Sequence, residues 1–324
     1  MNQADTTSGL PPHVKGTVVT VGTFDGVHRG HLDVIRRLVA RAAELDMPSL
    51  LVSFDPHPLE VVNPDAAPML LTTNEEKLEV LAETGLEYFA VLPFTHTLAS
   101  YSAEDFVDRI LRERFRMSEL MIGYDHGFGH RRAGNVDVLK ELGRDGEFNV
   151  DVIDPVSLDD GQHISSTSIR RAIAGGDLDR AAQGLGRRYS IAGTVIAGSA
   201  RGRQLGFATI NVSPPPLRKL LPPEGVYAVA VQTPRGRFGA MMNLGPRPTF
   251  GDTDRSIEAH LFDVDADFYG MRVRIDFVRF LRETRKFSGP EELIAQLGKD
   301  RTSALAALEE LAAGDNSSPA ANVS

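Results

Sequence analysis

The chain of 324 residues contains no cysteine and no tryptophan, and no apolar run approaches the roughly 18 to 20 residues that span a bilayer. Without cysteine there is no disulfide framework, no thiolate zinc site and no cysteine nucleophile. The first segment, Met1–Pro12, is polar and has no apolar signal core. These absences predict a cytoplasmic protein with no membrane partner, whose chemistry depends on other residue types.

Positive charge is also scarce. The sequence has 44 acidic and 35 basic residues, a formal net charge of −9. Because proteins hold nucleic-acid backbones with broad basic surfaces, this balance predicts no nucleic-acid partner. The arginines nevertheless occur in local pairs such as Arg170-Arg171 and Arg187-Arg188, a pattern compatible with binding small anions where a pair meets a helix start.

Length and periodicity favour two domains. The first half alternates strand-like and helix-like segments, which favours an open, mostly parallel α/β sheet. From Ser190 the pattern changes to short strands typical of a small antiparallel barrel. We therefore expect an α/β plus β protein, present as a monomer or weak homo-oligomer. The predicted divisions are a flexible N-terminus (1–15), an α/β domain (16–185), a barrel domain (186–313) and a disordered tail (314–324).

Individual elements follow from the same patterns. The predicted strands are Thr17–Val21, Ser49–Phe54, Tyr88–Leu92, Glu119–Ile122, Ile191–Ile196, Gly225–Gln232, Arg237–Met242, Ser256–Phe262 and Met271–Leu281. The predicted helices are Leu32–Glu44, Glu75–Glu83, Ala103–Arg114, Asn135–Leu142, a short one through Ile173, and a closing pair, Glu291–Leu297 and Thr302–Ala313. Gly175–Arg188 is predicted to be a linker.

A glycine-rich turn joins the first predicted strand to the first helix. Gly22, Gly26 and Gly30 let backbone amides approach an anion, and the helix start after the turn offers unpaired N–H groups. His28 and His31 are three residues apart, so one turn can direct both imidazoles at one phosphate. The alternative is a tight turn followed by two histidines on an exposed helix start.

The run Gly22–His31 resembles the prokaryotic FAD synthetases of the nucleotidyltransferase superfamily. Later segments resemble the same family in the same order: Ser53–Pro58, Leu71–Lys77, Gly123–Gly129 and Ile164–Arg170. The resemblance implies a Rossmann-like domain that transfers AMP from ATP to FMN, giving FAD and pyrophosphate, with Mg²⁺ accompanying ATP. No enzyme nucleophile is needed, because the FMN phosphate attacks the α-phosphate in line.

The family resemblance also implies roles for individual residues. His28 and His31 would stabilise charge that develops on the α-phosphate. The implied ATP contacts are Gly22, Thr23, Phe24, Asp25, Gly30, Ser165, Thr167 and Arg170, and the implied flavin contacts are Asp55, Pro56, His57 and Asp125. From the residues alone, the hydroxyls of Ser165–Ser168 either cap a helix or bind phosphate oxygens.

The second half resembles riboflavin kinases, which use ATP to convert riboflavin to FMN. The similarity is clearest in Gly193–Val195 and Gly202–Asn211. It implies that ATP and Mg²⁺ are bound by Gly198, Gly202, Arg203, Gly206, Thr209 and Asn211, with Thr209 and Asn211 as the metal ligands. It also implies that Glu258 is the general base for the ribityl 5′-hydroxyl. From the sequence pattern alone, Glu258 is predicted to be a solvated residue on the outside of a strand.

Two departures from the kinase pattern keep other functions open. Ala208 stands where the family has proline, and Ile210 stands where it has alanine. These changes motivate an alternative in which the chain is only an FMN adenylyltransferase with a flavin-binding barrel. Two further alternatives are a nucleotidyltransferase with another phosphate acceptor (pantetheine phosphate, nicotinamide mononucleotide or glycerol phosphate) and a non-catalytic flavin-binding regulator.

Overall fold

The computed structural model describes residues 1–124, 134–146, 148–154, 156–157, 161–198, 207–246 and 255–317. The chain divides into two units, Met1–Ser168 and Ile169–Ser324. Within the described residues, no helix is both long and apolar enough to cross a bilayer.

The first unit is built on a six-stranded parallel sheet in the order β1-β4-β3-β2-β5-β6. Its strands are β1 (Asn2–Gln3), β2 (Thr17–Val21), β3 (Ser49–Asp55), β4 (Tyr88–Pro93), β5 (Met117–Gly123) and β6 (Asn149–Ile153). Parallel strands place all their carboxyl ends at one edge of the sheet, where the connecting turns can form a site. The predicted parallel α/β architecture is confirmed.

Helices lie between these strands and after the last of them. They are α1 (Arg29–Glu44), α2 (Pro58–Val62), α3 (Asn74–Ala82), α4 (His96–Ala99), α5 (Ala103–Asp105), which continues into a π-helical segment (Phe106–Arg112), α6 (Val136–Gly146) and α7 (Ser166–Ala174), with a 3-10 turn at Pro64–Ala66. Alternate residues of β2 face opposite cores: Val18 clusters with Ile35 of α1, and Val19 clusters with Ile110 of the π-helical segment. The sheet is therefore covered on both faces.

The first fifteen residues differ from the predicted flexible N-terminus (1–15). β1 pairs with β4, and Ala4, Leu10 and Val14 are buried. The Arg116 guanidinium donates hydrogen bonds to the carbonyls of Leu10, Pro11 and Val14. The apolar residues of this segment follow neither a helical nor a strand period, so no pattern in the sequence indicated this packing.

The second unit contains a closed antiparallel barrel in the order β10-β11-β8-β7-β12-β9. Its strands are β7 (Ser190–Ile196), β8 (Ile210–Val212), β9 (Gly225–Thr233), β10 (Gly236–Pro246), β11 (Arg255–Leu261) and β12 (Arg272–Arg282). The predicted antiparallel barrel is confirmed. The three-residue strand β8 was not predicted, although it completes the barrel between β7 and β11.

Two helices of this unit differ from the sequence prediction. The predicted linker contains α8 (Leu178–Leu185), which begins at the Asp177 cap and ends at Gly186 in the left-handed conformation. The predicted closing pair is one helix, α9 (Pro290–Ser317), which extends past the predicted domain end at residue 313. Ala304 and Ala307 of α9 pack against Ala228 of β9 and Met241 of β10 on the outer face of the barrel.

Candidate active sites

The turn between β2 and α1 lies at the carboxyl edge of the parallel sheet and has an unusual backbone. Phe24, Gly26 and Val27 have φ values of 47°, 84° and 38°. Left-handed φ values are unfavourable for residues with a side chain, and most of all for a β-branched residue such as Val27. Such a conformation persists only where the surrounding structure holds it.

Hydrogen bonds from neighbouring segments hold this turn. The buried Asp25 carboxylate accepts from the backbone N–H groups of Leu71 (2.9 and 3.0 Å) and Thr72 (3.0 Å). Thr72 Oγ1 accepts from Gly26 N at 3.0 Å, and Ser166 Oγ donates to the Asp25 carbonyl at 2.9 Å. The side chain of Asp25 thus fixes the turn, whereas its predicted contact with ATP stays a prediction.

The two histidines of the turn are stacked at the start of α1. His28 caps the helix, since its Nδ1 accepts from His31 N at 3.3 Å. The two rings lie 3.5 Å apart, centroid to centroid, at an interplanar angle of 17°. A neutral His28 that accepts at Nδ1 carries its proton on Nε2, so its other nitrogen is a donor. The structure therefore brings the two predicted catalytic imidazoles together.

Gly30 and Phe24 shape the surroundings of these imidazoles. A Cβ atom at Gly30 would lie 3.2 Å from Nδ1 and Cε1 of the His28 ring, so the glycine gives that ring room to pack against α1. The Phe24 ring centroid lies 4.9 Å from that of His31. Gly22 and Thr23, which precede Phe24, are both half-buried.

The serine-rich segment before α7 caps this helix. Ser165 Oγ accepts from Ser168 N at 3.1 Å, and Ser168 Oγ accepts from Ser165 N at 3.2 Å. The capping interpretation therefore holds for Ser165, and Ser166 adds its bond to the turn. Thr167 is exposed and Arg170 half-buried, both within α7. Their predicted phosphate contacts stay predictions.

The implied flavin contacts begin at the last residue of β3. Asp55 and Pro56 are exposed and joined by a cis peptide bond. His57 caps α2, because its Nδ1 accepts from Leu59 N at 3.2 Å while Glu60 Oε1 accepts from His57 N at 3.3 Å. These residues share the carboxyl edge of the sheet with the histidine turn. Asp125 lies outside the described residues.

The second candidate site is a row of side chains across the barrel. Glu258 of β11 is paired with Asn211 of β8 on one side and with Asn243 of β10 on the other. Directly opposed residues of antiparallel strands point to the same face. Asn243 is two residues from Met241, which packs against α9, so this row lies on the outer face of the barrel. Ser256 Oγ donates to Glu258 Oε1 at 3.0 Å.

The predicted metal ligands lie beside this row. Asn211 packs over Gly198 so closely that a Cβ atom there would be 1.8 Å from Asn211 Nδ2, which explains the need for glycine. Thr209 is half-buried just before β8. The hydroxyl and amide oxygens of these two ligands are hard donors that suit Mg²⁺. Gly202, Arg203 and Gly206 lie outside the described residues, which contain no group of three or more His, Asp or Glu side chains able to hold a metal.

Comparisons with known proteins match one family model to each half of the chain. The family model described as FAD synthetase matches residues 10–168, and the model described as riboflavin kinase matches residues 185–308. A bifunctional riboflavin kinase/FMN adenylyltransferase from Pseudomonas fluorescens is 39% identical, covering 92% of this chain and 94% of its own length. The chain belongs to the bifunctional riboflavin kinase/FMN adenylyltransferase family.

Two further relatives extend the comparison. The family member from Escherichia coli K12 is 35% identical, covering 90% of this chain and 92% of its own length. A solved structure described as a macrolide-efflux protein from Streptococcus pneumoniae has a TM-score of 0.81 and 29% identity, and the match covers 92% of this chain and 95% of that chain. The family predicted from the sequence motifs, and with it the transferase class, is confirmed.

Sequence reasoning gave no role to two residues that contact the candidate sites. Lys77 of α3 is buried, and its Nζ donates to the Thr23 carbonyl at 2.7 Å. Burial lowers the pKa of Lys77, although Asp25 and Asp55 act in the opposite direction. In the barrel, His260 Nδ1 lies 2.8 Å from the Ala208 carbonyl and its ring packs edge-on against Phe207. Both residues lie in segments that match the families, but their contacts are tertiary and are not visible in the sequence.

Proposed function

We propose that the chain makes both flavin cofactors, forming FMN from riboflavin and ATP in its barrel unit, and FAD and pyrophosphate from FMN and ATP in its first unit. The observation that carries this proposal is the pair of family matches, one on each half of a chain whose bifunctional relatives it covers almost completely. We assign adenylyl transfer to residues 16–185 and phosphorylation to residues 186–313.

For adenylyl transfer, an oxygen of the FMN phosphate attacks the α-phosphorus of ATP in line, and the bond to the β-phosphate breaks to release pyrophosphate. His28 and His31 donate hydrogen bonds to the α-phosphate as its negative charge increases. The stacked geometry of these imidazoles supports this role, because one turn presents both to the same group. Catalysis then consists of positioning and charge stabilisation, without a covalent enzyme intermediate.

For phosphorylation, the oxygen of the ribityl 5′-hydroxyl attacks the γ-phosphorus of ATP, and ADP departs. Glu258 takes the proton of this hydroxyl during the attack. Thr209 and Asn211 would hold Mg²⁺, which neutralises phosphate charge. The pairing of Glu258 with Asn211 supports this assignment, because it puts the base and a metal ligand on the same face of neighbouring strands.

We further propose that the enzyme requires Mg²⁺, resides in the cytoplasm and is a monomer or weak homo-oligomer without a nucleic-acid partner. The net charge of −9 and the hard oxygen ligands at the barrel site support the nucleic-acid and metal parts of this proposal. Light scattering over a range of protein concentrations tests the oligomeric state. Addition of EDTA tests the metal, and both activities should then stop.

Product chromatography tests the proposed function directly. Purified protein is incubated with ATP and Mg²⁺, and with either riboflavin or FMN. We expect FAD from both incubations, with FMN appearing before FAD in the first. FAD from FMN, with no FMN or FAD from riboflavin, would show that the barrel unit is not an active kinase, which is the alternative that Ala208 and Ile210 motivate. The absence of product from both would overturn the proposal.

A further inference from the structure

Lys77 connects three elements at the adenylyltransferase site. Its side chain projects from α3, and its Nζ donates to the Thr23 carbonyl at 2.7 Å and to Ser53 Oγ, near the end of β3, at 3.2 Å. Ser53 Oγ in turn donates to the same Thr23 carbonyl at 3.1 Å. One buried ammonium group thus links α3 and β3 to the first residue of the turn 23–27.

Burial of the Lys77 ammonium group costs free energy that a purely structural contact would not require. An ammonium group loses its hydration when it is buried, and Lys77 is only 5% exposed. The Thr23 carbonyl already has a neutral donor in Ser53, so hydrogen-bond satisfaction alone does not account for a buried lysine. The bond from Lys77 Nζ is better explained if it fixes the position of the Thr23 carbonyl.

The Thr23 carbonyl immediately precedes the strained part of the turn. Phe24 has a φ of 47°, and its ring packs 4.9 Å from His31. Val27 has a φ of 38° and directly precedes His28. A displacement of Thr23 would therefore be transmitted through the turn to both imidazoles.

We propose that Lys77 is a positioning residue for adenylyl transfer, which holds the turn 23–27 so that His28 and His31 meet the α-phosphate. This inference rests on the proposed adenylyltransferase function. Lys77 acts through the Thr23 carbonyl, and the stacked histidines act on the substrate. Misplacement of catalytic groups by about 1 Å can cost on the order of a hundredfold in rate.

The test uses Lys77→Met, which keeps the length of the side chain and removes its charge and donors. Lys140→Met, at an exposed position on α6 in the same unit, is the matched control. We expect Lys77→Met to lower kcat for FAD formation at least roughly tenfold while KM for FMN changes less than about twofold. FMN formation by the same protein, and its melting temperature, should match those of Lys140→Met.

A second variant separates the ammonium group from the hydroxyl. Ser53→Ala leaves the bond from Lys77 to Thr23 in place, so its loss of kcat should be smaller than that of Lys77→Met. The inference would be overturned if Lys77→Met had an unchanged kcat for FAD formation, lost FMN formation to the same extent, or melted at a much lower temperature than Lys140→Met. It would also be overturned if Ser53→Ala lost as much kcat as Lys77→Met. FAD formation by the wild type is measured first, since its absence would overturn the proposed function instead.

Discussion

The two candidate sites are built by different means. The proposed adenylyltransferase site depends on a turn with left-handed residues, which buried groups on neighbouring segments hold in place. The proposed kinase site depends on strand register, which aligns Asn211, Glu258 and Asn243 across the barrel. A turn of this kind is sensitive to residues that never contact substrate, whereas an aligned row is sensitive mainly to its own members. Substitutions in each unit can test that difference.

The largest effect is expected from Glu258→Gln, which removes the proposed base and preserves shape. General-base catalysis contributes about 10²- to 10⁴-fold, so FMN formation should fall by that order. FAD formation from FMN should be unchanged, because the base lies in the barrel unit. Initial rates of both reactions, with Glu309→Gln on the exposed face of α9 as control, provide the check. A comparable fall in FAD formation would contradict separate sites.

His31→Ala should have the opposite selectivity. Loss of one oriented donor to developing charge costs on the order of 10²- to 10³-fold. FAD formation should fall by that amount, and FMN formation should stay at the wild-type rate. His96→Ala, at an exposed histidine in the same unit, is the control. An FAD rate close to that of the control would remove His31 from the mechanism.

Asp25→Asn tests the sensitivity of the turn. Its amide group would face the backbone donors of Leu71 and Thr72, leaving a buried N–H without an acceptor at a cost of about 1 to 3 kcal/mol. We expect a lower melting temperature of the first unit and slower FAD formation, with normal FMN formation. Asp151→Asn, on the exposed side of β6, is the control in calorimetry and rate assays. Wild-type stability in Asp25→Asn would show that the turn needs no such support.

Gly198→Ala is the corresponding test in the barrel. The new methyl group would collide with Asn211, whose Nδ2 lies 1.8 Å from the Cβ position. Displacement of a metal ligand should raise the Mg²⁺ concentration needed for half-maximal FMN formation, by roughly tenfold. Gly289→Ala is the control, because a Cβ atom there meets nothing within 4 Å. An unchanged Mg²⁺ requirement would contradict the role of Asn211.

The smallest effect is expected at Glu119, which is buried in β5. Burial raises the pKa of its carboxyl group, but hydrogen bonds from Arg41 and Asn149 outweigh burial and leave the pKa below its ordinary value. The folded state therefore gains stability from the ionised carboxylate above the ordinary pKa of a glutamate, and this gain is lost as pH falls through the lowered pKa. Glu119→Gln should melt a few degrees lower than the wild type at pH 7, and the difference should shrink in acid. A difference that grows in acid would reverse the assigned sign.

Sequence patterns predicted much of the scaffold because strands such as β2 and β9 are buried runs bounded by turns. The short strands β1 and β8 were missed, since two or three residues show no period. Because β8 carries Asn211 and places it beside Glu258, the pairing of these two residues was not predicted either. Strand register is a tertiary property that one sequence does not display.

Residues of the candidate sites could be predicted where their spacing in the sequence is local, and not where their contacts are distant. The glycines and paired histidines of the first turn could be predicted, since their spacing has a local physical meaning. Lys77 could not, because its partner Thr23 lies 54 positions away in sequence. The contact of Asp25 with ATP, implied by resemblance, stays a prediction, and its hydrogen bonds to the backbone of Leu71 and Thr72 were not predicted. Residues that hold the turn through contacts distant in sequence are evident only in the three-dimensional structure.

A complementation assay tests most directly whether the two chemistries reside in independent sites. Glu258→Gln and His31→Ala proteins are each incubated with riboflavin, ATP and Mg²⁺, alone and mixed, and FAD is followed by chromatography. Neither variant alone should form FAD at an appreciable rate, although His31→Ala should accumulate FMN. The mixture should form FAD, because FMN released by one protein is adenylylated by the other. A mixture that forms no more FAD than the separate variants would contradict the account.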